Sequence, residues 1–343
     1  MTRVHSTPQA LTPLADARAR LGVRLGTASI ETIELRDALG RIAAVEHRAM
    51  RPLPGDDRAL VAGWAVAAAD TVGASPYAPA FLASPVPVAA GAVLPAGCDA
   101  VLSQVSGRDD GGLLVVEASL APGENVHRRG FDLAVDAPLL AAGDPIDAIG
   151  LALAEAAGLT EIAVRRLPVA IVAAETALAA FAASAIRTTG ASIATVDETP
   201  RLVLRLGDAT RRDDAPGLAL SGAETAIPSE DGGIPTLTVP DRLAALATVL
   251  EALILPALRT ALGRPDERPC EARPLARKLA SRVGFTELAL FDVDAGGRWL
   301  PLAVGDLPAS AWARARAVVE LPPESEGLPE ATPLALPRPF LRP

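Results

Sequence analysis

The stretch that most limits the fold is Val169-Ala170-Ile171-Val172-Ala173, an unbroken apolar run between Pro168 and the polar pair Glu175-Thr176. A strand with one wet face alternates apolar and polar residues. A run without alternation is buried on both faces, as in the interior of a parallel sheet. Parallel neighbours need a crossover, usually a helix, and residues 177–189 carry a helical pattern. Further strand-like runs follow at residues 193–196, 202–204 and 236–239. Asp241 then reads as the cap of a long helix ending at Leu262, with Gly263 just past it. Strands alternating with helices predict an α/β layer around a parallel sheet.

The flanks read differently. Thr12-Pro13 suits the N-cap and first position of a helix whose apolar side is Leu14, Ala17, Leu21 and Val23 or Leu25. A short second helix is expected over residues 34–39, stopped by Gly40. From about 48 to 144 prolines cut the chain into short strand-like pieces, with turns at residues 109–112 and at Pro122-Gly123. Asp147 caps a helix through Ala157, closed by Gly158, so this β-rich stretch reads as an insertion into a helical domain. After a polar linker at 264–269, runs at 285–293 and 299–304 flank Asp294-Ala295-Gly296-Gly297, a hairpin signal. A further strand is expected at 317–319. The expected fold class is therefore α/β plus β and multidomain. An N-terminal region spans 1–166 with the insert at about 48–144. A shortened α/β unit spans 167–265, and a small β domain spans 270–343.

Charge excludes several functions. The net charge is −9 over 343 residues, which predicts no nucleic-acid partner and no anionic membrane surface. Lys278 is the only lysine, so nearly all positive charge is arginine. Cys98 and Cys270 are far apart, and His5, His47 and His127 are scattered, which predicts no zinc, haem or iron–sulfur site. The most apolar run, residues 243–258, contains Glu251 and Pro256 and falls short of the ~20 residues of a membrane span. Nothing at the start reads as a signal peptide, so a cytoplasmic location is expected.

No glycine-rich nucleotide loop and no nucleophile elbow is present. The densest polar cluster is "GENVHRRGFD", residues 123–132, which offers Asn125, His127, Arg128, Arg129 and Asp132 between two glycines. Paired arginines in such a loop can grip a phosphate or another oxyanion. "LGDATRRDD", residues 206–214, follows a predicted strand, where ligands of α/β sheets sit, and Asp208, Asp213 and Asp214 can hold magnesium there. Asp56 and Asp57 precede the strand at Gly63. Each of these loops also reads as a solvated turn, the reading favoured for residues 206–214 and for Asp56-Asp57.

The order of motifs resembles the molybdopterin molybdenumtransferase family, the MoeA and gephyrin E-domain type. Ala38-Leu39-Gly40-Arg41 matches the family's "ALGR". Residues 54–66 stand where it has "PPFDNSAMDGYAV", residues 90–101 where it has "TGAPLPxGADAVV", and residues 123–132 where it has "GxNVRxxGED". Residues 166–172 match "RPRVAILSTGDE", residues 238–263 match its long helix, and residues 318–328 match "LVVLPEGxEGL". The resemblance implies insertion of molybdate into adenylylated molybdopterin with Mg2+, on a homodimer. It also places losses. The family's acid in "AMDGYA" falls on Ala62 and its threonine in "TGA" on Ala90. The acids of "STGDE" fall on Thr176 and Ala177. The lysines of "KPGKP" fall within Leu220-Ser221-Gly222-Ala223-Glu224, leaving Ser221 as the polar candidate there. A helix before Leu202 is missing.

These substitutions set the expectation. The chain is a molybdenum-cofactor protein that binds molybdopterin or serves a molybdoenzyme or other maturation partner, with catalysis impaired or absent. Asn125, His127, Arg128, Arg129 and Ser221 are the candidate binding residues, and Asp208 and Asp214 the candidate metal ligands. The alternatives are an active transferase using Asp56, Asp57, Asp132 or Asp208 as relocated acids, and a purely structural or interaction protein.

Overall fold

The computed structural model describes residues 11–207, 216–264 and 268–342. The apolar run forms the strand Pro168–Val172, inside a five-stranded sheet. Ser192–Ile193 lies on one side of it and Leu202–Leu206 on the other, both parallel. Ile234–Val239 continues the sheet in parallel, and Ile227–Asp231 closes it as an antiparallel edge. That edge strand, Ile-Pro-Ser-Glu-Asp, has too little apolar pattern to be read from sequence, although Gly232 and Gly233 at positive φ carry its hairpin turn. The strand expected at 193–196 is only Ser192–Ile193. Residues 194–201 return to Leu202 without a helix, so the sheet's second crossover is a loop.

The N-terminal expectations are corrected in several places. The first helix runs Leu14–Leu25 and buries Leu14, Ala17, Leu21 and Leu25, while Val23 is exposed. Thr12 is not its cap. Its amide donates to Gly217 O at 2.7 Å and its carbonyl accepts from Ala219 N at 2.8 Å, which leaves Pro13 in the N-cap place. The helix joins the core of the parallel sheet, with Leu204, Val239 and Leu253, and Ala28 and Ile42 belong to that core as well, whereas Leu35 and Ala38 join a separate core with Ile162 and Val164. Residues 34–39 hold only a single tight turn, Leu35–Asp37. They follow a strand, Ser29–Glu34, that pairs antiparallel with Glu161–Arg166.

Asp147 caps as expected. Its Oδ1 accepts from Gly150 N at 2.7 Å, and the helix runs Ala148–Ala156. Asp241 does not cap, because Arg242 occupies that place before the long helix. This helix, Leu243–Ala261, is long and apolar enough to cross a bilayer, but here its apolarity serves the largest core. It carries a wide turn at Leu250–Ile254, just before Pro256. Pro256 has no N–H to give the carbonyl four residues back. That carbonyl, Ala252 O, accepts instead from Arg18 Nε at 2.8 Å and Nη2 at 2.5 Å. The same guanidinium meets Glu320 of the C-terminal sheet at 2.5 Å.

The insert holds two three-stranded antiparallel sheets, Val86–Val88 with Gly63–Val66 and Ala100–Ser103, and Ala80–Ala83 with Leu113–Val116 and Gly107–Asp109. Leu102 and Leu114 share the core between them. At the other end of the chain Glu287–Val293 pairs with Trp299–Val304 and with Ala317–Leu321. The expected turn joins the first two. Asp294 Oδ1 accepts from Gly296 N and Arg298 N, each at 2.9 Å.

Candidate functional site

Three stretches far apart in sequence converge in the insert. The short strand Arg58–Ala59 pairs antiparallel with Val126–His127 on one side. On its other side Ala59 N donates to Ala92 O at 2.9 Å and Gly91 N donates to Ala59 O at 2.7 Å. Arg58 Nη1 donates to Gly91 O at 2.8 Å. The residues before this strand lean on the 129–133 loop. Gly130 N donates to Pro54 O at 3.0 Å, Asp132 N to Leu53 O at 2.9 Å, and Arg129 N to Asp57 Oδ1 at 2.7 Å. Backbone pairing thus brings together the stretches around 54–66, 90–101 and 123–132.

The polar residues of this cluster divide by what they touch. Asn125 has a positive φ of 57°, and its amide nitrogen donates to Val101 O at 2.9 Å, so it shapes the turn. Arg128 donates to Pro122 O at 2.7 Å and lies so close over Gly123 that a Cβ there would sit 2.3 Å from its guanidinium. His127 Nε2 lies 3.1 Å from Asp132 Oδ1, and its ring meets Phe131 edge-on at 5.3 Å. Asp57 spends a carboxylate oxygen on the Arg129 amide, while Asp56 is exposed. The Arg129 side chain is exposed and makes no hydrogen bond or ion pair among the described residues. Of the candidates in this loop it is the cation with its fork still open to an anion. Ala62 offers only its carbonyl, which accepts from Gln104 N at 3.2 Å.

Ser221 belongs to a second place. Residues 219–221 pair alongside Thr286, with Ser221 N donating to Thr286 O and Thr286 N to Ala219 O, both at 3.0 Å. Gly222, at φ 80°, faces Gly305, whose carbonyl a Cβ on Gly222 would meet at 2.9 Å. A Cβ on Gly305 would in turn meet Ser221 Oγ at 2.8 Å and Glu287 Oε1 at 2.3 Å. Buried Glu287 accepts at Oε2 from Ser281 Oγ at 2.9 Å and Arg282 N at 2.8 Å. Leu220 and Ala223 are 0% exposed and belong to the main core. Sequence reading missed Gly305 and Glu287. The only signal was a glycine closing an apolar strand. Among the described residues no hydrogen bond or strand pairing joins Ser221 to the 123–132 loop within the chain.

A third place follows from topology. Strand order reverses at Pro168–Val172, so ligands of such a sheet settle beyond Val172 and Gly207. Glu175 and Thr176 stand there at the start of the helix Thr176–Arg187. Asp208 and Asp214, read from sequence as metal ligands of this crevice, lie outside the described residues. Among those described, no three His, Cys, Asp or Glu side chains gather to hold a metal. Magnesium asks for oxygen ligands around an octahedron. Asp57 is engaged by an amide and Asp132 by an imidazole, so the loop cluster does not fit that ion.

Comparison with known proteins bears on the overall fold and on the N-terminal region. Residues 12–158 match the family described as "MoeA N-terminal region (domain I and II)". A curated molybdopterin molybdenumtransferase of Synechococcus elongatus is 29% identical over 42% of this chain, a match spanning 41% of that relative's length. Molybdopterin molybdenumtransferase 2 of Mycobacterium tuberculosis is 26% identical over 81% of this chain and 90% of its own. Among solved structures, the molybdopterin biosynthesis MoeA protein of Pyrococcus horikoshii superposes with a TM-score of 0.71 at 22% identity, covering 96% of this chain and 99% of that one. A molybdenum cofactor biosynthesis protein of Pyrococcus furiosus gives 0.54 at 15% identity, over 96% and 99%.

Proposed function

We propose that the chain is a MoeA-type protein, as its match to the MoeA N-terminal region and its likeness to molybdopterin molybdenumtransferases support, and that it serves molybdenum-cofactor biosynthesis by binding a molybdopterin-type molecule without inserting molybdenum. The observation that carries this reading is the complete burial of Leu220 and Ala223. They occupy the segment in which the family pattern has lysines. A side chain locked in the core cannot neutralise a molybdate or phosphate dianion. Glu224 and Glu287 beside it add negative charge, which opposes an anion further. Groups that act as a unit are lost together, so turnover should vanish rather than decline.

Arg129 is the residue we assign to the pterin's phosphate. Arg129→Ala is expected to weaken molybdopterin binding by about 10-fold, the size of one charge-assisted hydrogen-bonding partner. A fluorescence titration reads this, and an unchanged affinity removes the loop from the site. The main reading is tested by incubating the protein with adenylylated molybdopterin, molybdate and magnesium. Retained pterin with no AMP release is the expected result. Magnesium-dependent AMP release with molybdenum insertion would instead favour relocated acids, for which Asp57 and Asp132 are the gathered candidates. No retention of either pterin would leave an interaction role. A homodimer in the cytoplasm, handing pterin to a molybdoenzyme partner, completes the proposal.

A further inference from the structure

A cavity of about 450 Å3 opens where the end of the helix Thr176–Arg187, the end of the core helix and the C-terminal sheet meet. The chain as a whole is acidic, at net −9. Yet Arg259, Arg268, Arg316 and Arg338 all line this cavity, against one carboxylate, Glu271. Among the described residues, the acids Glu271, Glu251 and Asp292 at or behind the wall each have a partner. Glu271 pairs with Arg273. Glu251 is held by Arg268 at 3.0 Å and by two backbone amides. Asp292 is shared by Arg314 at 3.0 Å and Arg316 at 3.2 Å.

The arginines differ in how tightly they are placed. Arg268 stacks on Phe340 with its guanidinium carbon 3.4 Å from the ring centroid, and Arg259 approaches the same ring at 5.3 Å. These two are fixed parts of the wall. Arg316 is 70% exposed and meets Asp292 through Nε. The exposed Arg338 side chain makes no hydrogen bond or ion pair among the described residues. Arg338 is exposed, and Arg316 meets Asp292 through Nε, which Arg314 also pairs, so these two guanidinium forks are the ones turned to a dianion in the cavity. Guanidinium forks match the geometry of phosphate oxygens. The volume lies in the small-molecule range of roughly 300–1,000 Å3, larger than a bare phosphate requires.

The geometry points to a phosphate site, separate from the 123–132 loop, in which Arg316 and Arg338 grip the dianion of a small organic phosphate. The test is calorimetric titration of the full chain with ribose 5-phosphate and with inorganic phosphate, at low and high salt. Saturable binding that weakens with salt is expected. Arg338→Ala and Arg316→Ala should each weaken it about 10-fold, while Arg129→Ala leaves it unchanged. Tighter binding of ribose 5-phosphate assigns the ester as ligand, and equal affinities assign free phosphate. If an alanine variant also loses its melting transition, Arg338→Lys replaces it, keeping the charge but not the fork, and should still bind more weakly. No saturable binding of either compound overturns the inference. So does binding that survives both arginine substitutions, or binding lost only in Arg129→Ala, which would place the phosphate in the pterin loop.

Discussion

Glu251→Ala is expected to lower the free energy of unfolding by about 3 kcal/mol, the cost of breaking a buried charged pair. The carboxylate sits in the wide turn of the core helix and is almost fully buried. It accepts from Phe340 N at 2.8 Å, Leu341 N at 3.1 Å and Arg268 Nη1 at 3.0 Å. Removing it leaves the Phe340 and Leu341 amides without this acceptor and takes its carboxylate from Arg268, so the C-terminal segment loses a hold on the helix. The denaturant midpoint at constant slope reads this loss. Glu251→Gln keeps an acceptor and should cost less.

The same residue sets a pH dependence. Burial pushes its carboxyl above the ordinary value, and the pull of the Phe340 and Leu341 amides and of Arg268 does not cancel that. The folded chain therefore holds this proton to higher pH than the unfolded chain does. Between the ordinary and the raised value the folded state binds more protons, so this residue's contribution to stability falls as pH rises through that window. Stability measured against pH for the native chain and for Glu251→Gln should differ by this slope. Identical slopes would remove the carboxyl as its source.

Gly63→Ala is the second large effect, with an expected cost of about 3 kcal/mol for an overpacked site. The added Cβ would stand 1.9 Å from Leu102 O and 2.9 Å from Leu102 C. Those are backbone atoms of the paired strand, so no rotamer change relieves the contact. The pairing of Gly63–Val66 with Ala100–Ser103 would have to open. Trp64, which packs against Gly107, reports this through its fluorescence, and hydrogen exchange of residues 100–103 should rise. Unchanged exchange there would show that the sheet absorbs the methyl.

How much was legible varies by element for physical reasons. The hairpin around Asp294 and the Asp147 cap were read correctly because a turn and a cap are made by residues a few positions apart. Thr12 was misread because its backbone pairs with residues 217–219, a contact that no local pattern announces. The strand at 227–231 was missed because an edge strand needs little apolar surface. Asn125, Arg128 and Arg129 stood in one motif and looked alike. Only the fold shows Asn125 and Arg128 spent on carbonyls of the chain and Arg129 left open.

The sequence by itself determined that Pro168–Val172 is an interior parallel strand, although only Pro168 and Val169 are buried in it and Val172 is 48% exposed. The order of its motifs also carried the resemblance that the match of residues 12–158 to the MoeA N-terminal region supports. The tertiary structure alone decided that the first helix joins that sheet and that Glu251 anchors the C-terminal segment. It alone brought residues 54–66, 90–101 and 123–132 to one loop cluster, and sank Leu220 and Ala223 into the core. The division has one cause. Periodicity and turn chemistry depend on neighbours along the chain. Which buried group satisfies which, and which charge is left open, depends on partners brought close only when the chain closes on itself.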